Sequence, residues 1–258
     1  MWPSAEYRAG DTLIHKLDAR VKLILTVTGV LSIALTPVGS WPIYFLWTMM
    51  AMAITIVARL PAGRVLKRSA WVLPFAAMAV PLAFTVRGTP LVSVGGLTIS
   101  AAGSERWVTV ICKSWISGLG VIIFSATTPF TEILMATRAM GLPPLLAMVI
   151  ELMGRYLWVL NEEARRMLRA RAARSACSAE ACPRRRWLWQ AVTLGWLAGS
   201  LFLRAIERGE RLYLSMTARG YDGRVRIGTL SPLTRPQRRL LEVGLLVAVF
   251  LLLLGWMG

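Results

Sequence analysis

Long apolar runs divide this chain into segments, and they constrain its fold more than any other feature of the sequence. A helix that crosses a bilayer needs about 20 mostly apolar residues, and 56% of the 258 residues are hydrophobic. Apolar runs that alternate with short polar stretches are typical of an all-α polytopic membrane protein. They predict about five transmembrane helices, at residues 21–35, 41–58, 70–85, 107–126 and 240–256.

The chain is strongly basic, with 30 Lys and Arg against 13 Asp and Glu. In a soluble protein this excess would indicate nucleic-acid binding. Here the basic residues lie between the apolar runs, so membrane topology and an acidic protein partner explain them, and no nucleic-acid partner is predicted. They are concentrated at 8–22, 59–68, 165–186 and 204–239, and the stretch at 59–68 is predicted to be a basic loop. We therefore expect a multi-pass protein of the cell inner (plasma) membrane, with a cytoplasmic N-terminus and an external C-terminus.

Residues 91–100 have a period of two, which differs from the helical segments on either side. Apolar residues alternate with small or polar ones around Gly95 and Gly96, a strong signal for a two-residue β-hairpin. Basic residues are sparse from 87 to 106. The sequence therefore predicts a short hairpin on the external side of the membrane.

The fourth predicted span contains one charged residue, Lys113, among several glycines and serines. Small residues allow helices to approach closely in lipid. A cation in a span also needs a polar partner. We interpret Lys113 as making a structural polar contact, because a substrate or proton path would need acidic residues in other spans, and none is found there.

Shorter, amphipathic segments follow residue 127. Thr128, Pro129 and Glu132 form a helix-start signal, with Thr128 as the N-cap. A second helix, over 145–174, carries Glu151 and Arg155 at a spacing that favours an ion pair. Its apolar part is predicted to be too short and too charged to cross the bilayer, so we expect an interfacial or buried helix.

Another long helix, after the one over 145–174, is predicted over 187–218, with an apolar first half and a mixed-charge second half. Gly220 follows it, where a glycine commonly ends a helix. Such a helix has one end suited to apolar packing and the other suited to a partner.

Two small-Arg-small triplets stand at the ends of these two long helices. They are Ala173-Arg174-Ser175 and Ala218-Arg219-Gly220. The small residues allow another protein's backbone to come close, and the guanidinium between them offers a fork of donors to carboxylates or carbonyl oxygens. A basic loop that only follows topology rules, or that binds anionic lipid, does not need small flanking residues.

The two triplets, in the runs EEARRMLRARAARS and ERLYLSMTARGYDG, resemble the transmembrane T component of energy-coupling-factor (ECF) importers, an ABC-type group. The run HKLDARVKL at 15–23 resembles the segment that precedes the first span in that family. Gly96 to Ser100 also resembles it. Gly141-Leu142-Pro143, Arg155-Tyr156-Leu157 and Glu162-Glu163 resemble the cobalt-transport branch.

This resemblance implies a subunit that couples ATPase motion to transport. Two ATPase (A) subunits would bind, one at each triplet, and would move a separate membrane-embedded S component that binds the substrate, with cobalt as the favoured cargo. ATP would be bound by the partner subunits, and this chain would hold no cofactor, metal or substrate. Ser175 departs from the commoner glycine but is small enough for the role. The resemblance also implies structural or coupling roles for Asp18, Arg20, Lys22, Glu151, Arg155 and Glu163.

The residues give no positive sign of catalysis. GxxxxGK[ST], HExxH and GxSxG are all missing from the sequence, and His15 is its one histidine. We predict a non-catalytic subunit without catalytic residues. Competing hypotheses are a T subunit serving vitamin S components such as one for biotin, a stand-alone secondary transporter, and a membrane enzyme acting on lipid.

The predicted organisation has three parts. Residues 1–127 hold the N-terminal transmembrane helices and the external hairpin, residues 128–226 form a cytoplasmic or interfacial coupling-helix domain, and residues 227–258 hold the C-terminal transmembrane helix.

Overall fold

The computed structural model describes residues 12, 14–15, 17–74, 78–81, 90–94, 97–175, 186–223 and 233–257. Within them the chain is mainly α-helical. The helices are α1 (Ala19–Leu35), α2 (Trp41–Val57), α3 (Ala62–Ser69), α4 (Ala101–Thr127), α5 (Phe130–Ala139), α6 (Pro144–Ser175), α7 (Arg186–Ala218) and α8 (Arg235–Met257). A 3₁₀ turn covers Ala70–Val72, and two strands, β1 (Pro90–Val94) and β2 (Leu97–Ser100), precede α4.

The chain divides into two compact units. The bundle unit holds the elements before Met140 and those after Leu230, and the helix-pair unit holds the elements between Gly141 and Thr229.

The core of the bundle unit forms where α1, α2, α4 and α8 meet. Ile33, Trp47, Ile116 and Leu251, one from each helix, belong to one buried cluster. Ser32 of α1 donates to the carbonyl of Ala248 at 2.9 Å, which ties the last helix to the first. Small and hydroxyl-bearing residues at such contacts are typical of helices that pack in lipid.

Three described helices are long and apolar enough to cross a membrane: Ala101–Thr127, Pro144–Arg174 and Arg235–Trp256. The first and last confirm two predicted spans. Helices α1 and α2, with 17 residues each, confirm the helices predicted there and measure about 26 Å each at 1.5 Å per residue. Much of the predicted span over 70–85 lies outside the described residues.

The prediction that the helix over 145–174 is too short and too charged to cross is wrong by length and composition. The structure has one uninterrupted helix of 32 residues. Its N-terminal half, in which Glu151 and Arg155 are the charged residues, is long enough for a span because Pro144 already belongs to the helix.

Two local predictions also need correction. Thr128 does not cap α5, because that helix begins at Phe130 with Pro129 in the N-cap position and no side-chain cap. Residues 59–68 were expected to be a basic loop, but Ala62–Ser69 is helical. Its buried Val65 and Ser69 lie one turn apart and hold the helix against the bundle core.

The predicted hairpin is confirmed. Strands β1 and β2 pair antiparallel, with Val94 opposite Leu97 and Ser93 opposite Thr98. Gly95 and Gly96, which lie between the two strands in the sequence, are outside the described residues. The location of the hairpin on the external side stays a prediction.

Candidate coupling site on the helix pair

The two long helices of the helix-pair unit run antiparallel. Arg204 of α7 donates to the Glu163 carboxylate of α6 at 2.5 Å. The Tyr221 hydroxyl, just beyond α7, lies 3.7 Å from the sulfur of Met148, near the start of α6. Tyr221 follows Arg204 in the sequence, but its contact on α6, Met148, precedes Glu163. The two helices therefore run in opposite directions.

This arrangement separates the two arginine triplets. Arg174 lies about 16 Å beyond Glu163 along α6, and Arg219 lies about 22 Å beyond Arg204 along α7, at 1.5 Å per residue. Because the helices are antiparallel, these offsets point in opposite directions. The two guanidinium-bearing turns therefore stand about 39 Å apart along the pair.

The described side chains of both triplets are exposed. Ala173 and Arg174 at the end of α6, and Ala218, Arg219 and Gly220 at the end of α7, are all on the surface. The Ser175 backbone completes α6, but its side chain is not among the described ones. Each arginine also stands at the C-terminus of its helix, where a cation is favoured by the helix dipole.

Neither the Arg174 nor the Arg219 guanidinium has a hydrogen bond or ion pair to another described residue. Several other arginines of the pair have carboxylate partners. Arg166 and Arg169 each contact the Glu162 carboxylate at 3.4 Å, and Arg211 contacts Glu207 at 3.5 Å. The donors of the two triplets are thus available to a partner within the described part of the chain.

Gly220 ends α7 as the sequence predicted, and its backbone conformation shows how. Its φ is +83°. The Gly220 N–H donates to the Thr217 carbonyl at 2.9 Å, and the Tyr221 N–H donates to the Met216 carbonyl at 3.0 Å. These two bonds form the Schellman motif that ends α7, with Arg219 as the C-cap residue.

We therefore expect Gly220→Leu and Gly220→Asn to behave differently. A Cβ at Gly220 meets no heavy atom within 4 Å, so steric room exists, but the left-handed backbone is costly for leucine and tolerated by asparagine. Leucine should destabilise the end of α7 by about 1–2 kcal/mol. Thermal unfolding of the isolated subunit measures this cost before any partner is added. Equal destabilisation by both substitutions would contradict the backbone explanation.

The candidates near the N-terminus belong to the bundle unit. Asp18 caps α1, with its carboxylate accepting from the Arg20 N–H at 3.0 Å. The Nε of Arg20 is buried without a hydrogen-bond partner in the described part of the chain. Lys22 is 7% exposed and donates to the carbonyls of Thr127 at 3.2 Å and His15 at 3.3 Å.

Lys113 confirms the predicted structural contact and also completes a pattern that the sequence did not reveal. Its ammonium donates to the carbonyls of Ala34 at 3.0 Å and Thr36 at 2.5 Å, at the C-terminal end of α1. Lys22 of α1 binds Thr127, the last residue of α4. Each lysine thus satisfies carbonyls at the end of the other's helix, an arrangement we call the lysine clasp.

The ion pair predicted between Glu151 and Arg155 is not formed, and both side chains are exposed. Exposed pairs at this spacing gain little stability, so side-chain freedom competes easily with pairing. Glu163, by contrast, makes the contact with Arg204 that joins the two helices. The sequence did not predict Arg204 as the partner of Glu163, because α7 contains several arginines and only the register of the two helices selects one of them.

Among the described residues, no group of three or more His, Cys, Asp or Glu lies close enough to hold a metal ion. The helix-pair unit has exposed arginines at its helix ends, and the bundle unit contains the lysine clasp.

The cobalt transport protein family, CbiQ, matches residues 10–229. An uncharacterised protein of Methanocaldococcus jannaschii is 30% identical over 55% of this chain and half of its own length. The energy-coupling factor transporter transmembrane protein EcfT of Brevibacillus brevis is 25% identical over 97% of this chain and 96% of its own. The cobalt transport protein CbiQ of Rhodobacter capsulatus is 29% identical over 68% of this chain and 69% of its own.

Proposed function

The chain belongs to the cobalt transport protein (CbiQ) family, the transmembrane components of ECF transporters, and on that premise we propose that it couples two ATPase subunits to a substrate-binding S component. Each ATPase subunit docks on one arginine triplet. Closure of the ATPase pair on ATP moves α6 and α7, and these helices transmit the movement to the S component.

The separation of the two triplets carries this proposal. Arginines about 39 Å apart along an antiparallel pair face different binding surfaces, so two copies of one partner can bind without competing. Both are exposed and have no described partner within the chain. The guanidinium fork suits carboxylates and carbonyl oxygens in a groove of the partner.

An ATPase partner also has support from a longer relative. A putative ABC transporter ATP-binding protein of Bifidobacterium longum is 28% identical over 83% of this chain but only 28% of its own length. In that protein a segment similar to this chain is therefore part of a much larger polypeptide named for ATP binding. In the proposed complex, the ATP-binding function resides in separate subunits, and this chain is non-catalytic.

Cobalt is the proposed cargo, because the family and the Rhodobacter capsulatus relative are named for its transport. The metal is held by the S component in this proposal. A role with vitamin S components, such as one for biotin, is the second candidate. The EcfT relative, which matches 97% of the chain, has a name that specifies no cargo and so agrees with either candidate.

In the proposed orientation the N-terminus and both arginine triplets lie on the cytoplasmic side of the inner membrane, where ATP is available. This requires α6 and α7 to lie along the membrane surface, although α6 is long and apolar enough to cross. The basic clusters at 165–186 and 204–239 support this orientation.

Transport by the assembled complex in proteoliposomes tests the function. We expect cobalt uptake that requires ATP and is lost when both Arg174 and Arg219 are replaced by alanine. Biotin uptake without cobalt uptake would favour the second candidate. Uptake driven by an ion gradient, with no ATPase subunit present, would contradict the coupling role altogether.

A further inference from the structure

A basic segment in the bundle unit, from Arg59 to Trp71, is not used by the proposed coupling mechanism. It comprises the turn after α2, helix α3 and the 3₁₀ turn that follows. Arg59, Arg64 and Lys67 are exposed, and no side-chain hydrogen bond or ion pair joins them to another described residue. The sequence contains no Asp or Glu between Asp18 and Glu105, so local counter-charges are lacking.

Arg59 occupies a position that favours glycine. Its φ is +52°, the one positive value at a non-glycine residue in the described part of the chain. The Arg59 N–H donates to the Ile56 carbonyl at 2.9 Å and the Leu60 N–H to the Thr55 carbonyl at 3.1 Å, so Arg59 is the left-handed residue of a Schellman motif. A side chain kept in this conformation, at a cost in stability, indicates a use for that side chain.

Helix α3 is held firmly on the bundle. Val65 and Ser69 are buried, and the Trp115 indole N–H of α4 donates to the Ser69 hydroxyl at 2.9 Å. A Cβ added at Gly118 of α4 would lie 2.9 Å from Val72, so the turn after α3 also touches α4 closely. The cations are therefore presented from a fixed surface.

The same segment exposes apolar groups beside its cations. Trp71 is 76% exposed and Leu66 is 39% exposed. Cations next to exposed apolar and tryptophan side chains are the signature of a helix that lies at the membrane interface. The position of this tryptophan beside cations at the end of α2 favours the membrane interface over an acidic protein surface.

We propose that the segment from Arg59 to Trp71 binds the headgroups of anionic phospholipids at the membrane surface where α2 ends. Arg59, Arg64 and Lys67 contact the phosphates, while Leu66 and Trp71 enter the headgroup region. Each Lys or Arg close to an anionic leaflet adds a similar increment to the free energy of binding.

The chain offers a clean variant for a test. Arg59→Gly removes the cation and supplies the residue that the left-handed turn prefers, so the variant should fold with equal or higher thermal stability. Arg64→Gln combined with Lys67→Gln removes two further cations from exposed positions. Arg211→Gln is the matched control, because Arg211 is exposed but lies on α7 and contacts Glu207.

Native mass spectrometry of the detergent-solubilised subunit, mixed with phosphatidylglycerol or phosphatidylcholine, measures the bound lipid. We expect wild type and Arg211→Gln to retain phosphatidylglycerol preferentially. Arg59→Gly should lower that preference about fivefold and the double variant more strongly, at about fivefold for each cation.

Two results would overturn the proposal. One is an unchanged phosphatidylglycerol preference in both Arg59→Gly and the double variant. The other is unchanged lipid retention together with lost ATPase or S-subunit assembly, which would assign the surface to a protein partner.

Discussion

Replacing Arg174 and Arg219 together by alanine should abolish co-purification of the ATPase subunits, while either replacement alone should weaken it. Loss of one partner from a buried, hydrogen-bonded charge pair at an interface costs about 2–5 kcal/mol. At 1.4 kcal/mol per tenfold change in affinity, even the lower value corresponds to more than a tenfold loss at each site. The ratio of ATPase to this chain after affinity purification in mild detergent measures the effect.

The pattern of the single variants is equally informative. If each arginine docks one ATPase subunit, each single variant should retain the subunit at the intact end, giving a ratio near one instead of two. Lysine at both positions should restore little, because an ammonium keeps the charge but not the planar fork of donors.

Arg166→Ala is the control for general charge loss. Arg166 lies on the same helix as Arg174, but it is already ion-paired with Glu162 at 3.4 Å. The control should retain both ATPase subunits. Equal loss in Arg166→Ala and Arg219→Ala would indicate diffuse electrostatic attraction, and the mechanism with two separate docking sites would have to be abandoned.

The ends of the two coupling helices could be predicted from the sequence because local residues determine them. The helices predicted over 145–174 and 187–218 are observed as Pro144–Ser175 and Arg186–Ala218. Gly141 precedes the first helix with a φ of +110°, and Gly220 ends the second with a φ of +83°. Glycines at such positions act through their own backbone, so they are visible without knowledge of tertiary contacts.

Local signals failed where tertiary packing determines the outcome. The amphipathic helix Ala62–Ser69 was not predicted, because its sequence is dominated by basic residues. Val65 and Ser69 are buried only because α4 packs against them. Thr128 had the residue type of a cap, but the chain places it at the end of α4 and starts the next helix at Phe130. The separation of the two triplets likewise depends on the antiparallel register, which the contact of Glu163 with Arg204 reveals.

The lysine clasp could be predicted only in part. One cation in an apolar span signals a polar partner, and Lys113 does have partners. Those partners, Ala34 and Thr36, are backbone carbonyls more than seventy residues away, with no side-chain signature in the sequence. The last carbonyls of any helix lack an intrahelical donor. In the bundle unit, these carbonyls and the two lysines therefore satisfy each other.

Replacing Lys22 and Lys113 together by methionine should destabilise the bundle unit severely. Methionine preserves the apolar stem, so the change removes mainly the ammonium donors. Thr36 and Thr127 are buried, and the carbonyl of each, left without its lysine donor, costs about 1–3 kcal/mol. The two lysines act at points about 18 Å apart along α1, so their effects should add. The sum is a large part of the 5–15 kcal/mol that stabilises a typical fold.

Thermal unfolding of the single and double variants in zwitterionic detergent measures these losses. Lys67→Met is the matched control, because the Lys67 side chain is exposed and makes no hydrogen bond or ion pair to a described residue. It should change stability by less than about 0.5 kcal/mol. The clasp also predicts where the damage falls: Lys113→Met should loosen the end of α1 near Thr36, and Lys22→Met the end of α4 near Thr127. Hydrogen exchange at those two helix ends separates the effects. Exchange that rises equally at both ends in each single variant would mean that the lysines stabilise the bundle generally and not through these carbonyls.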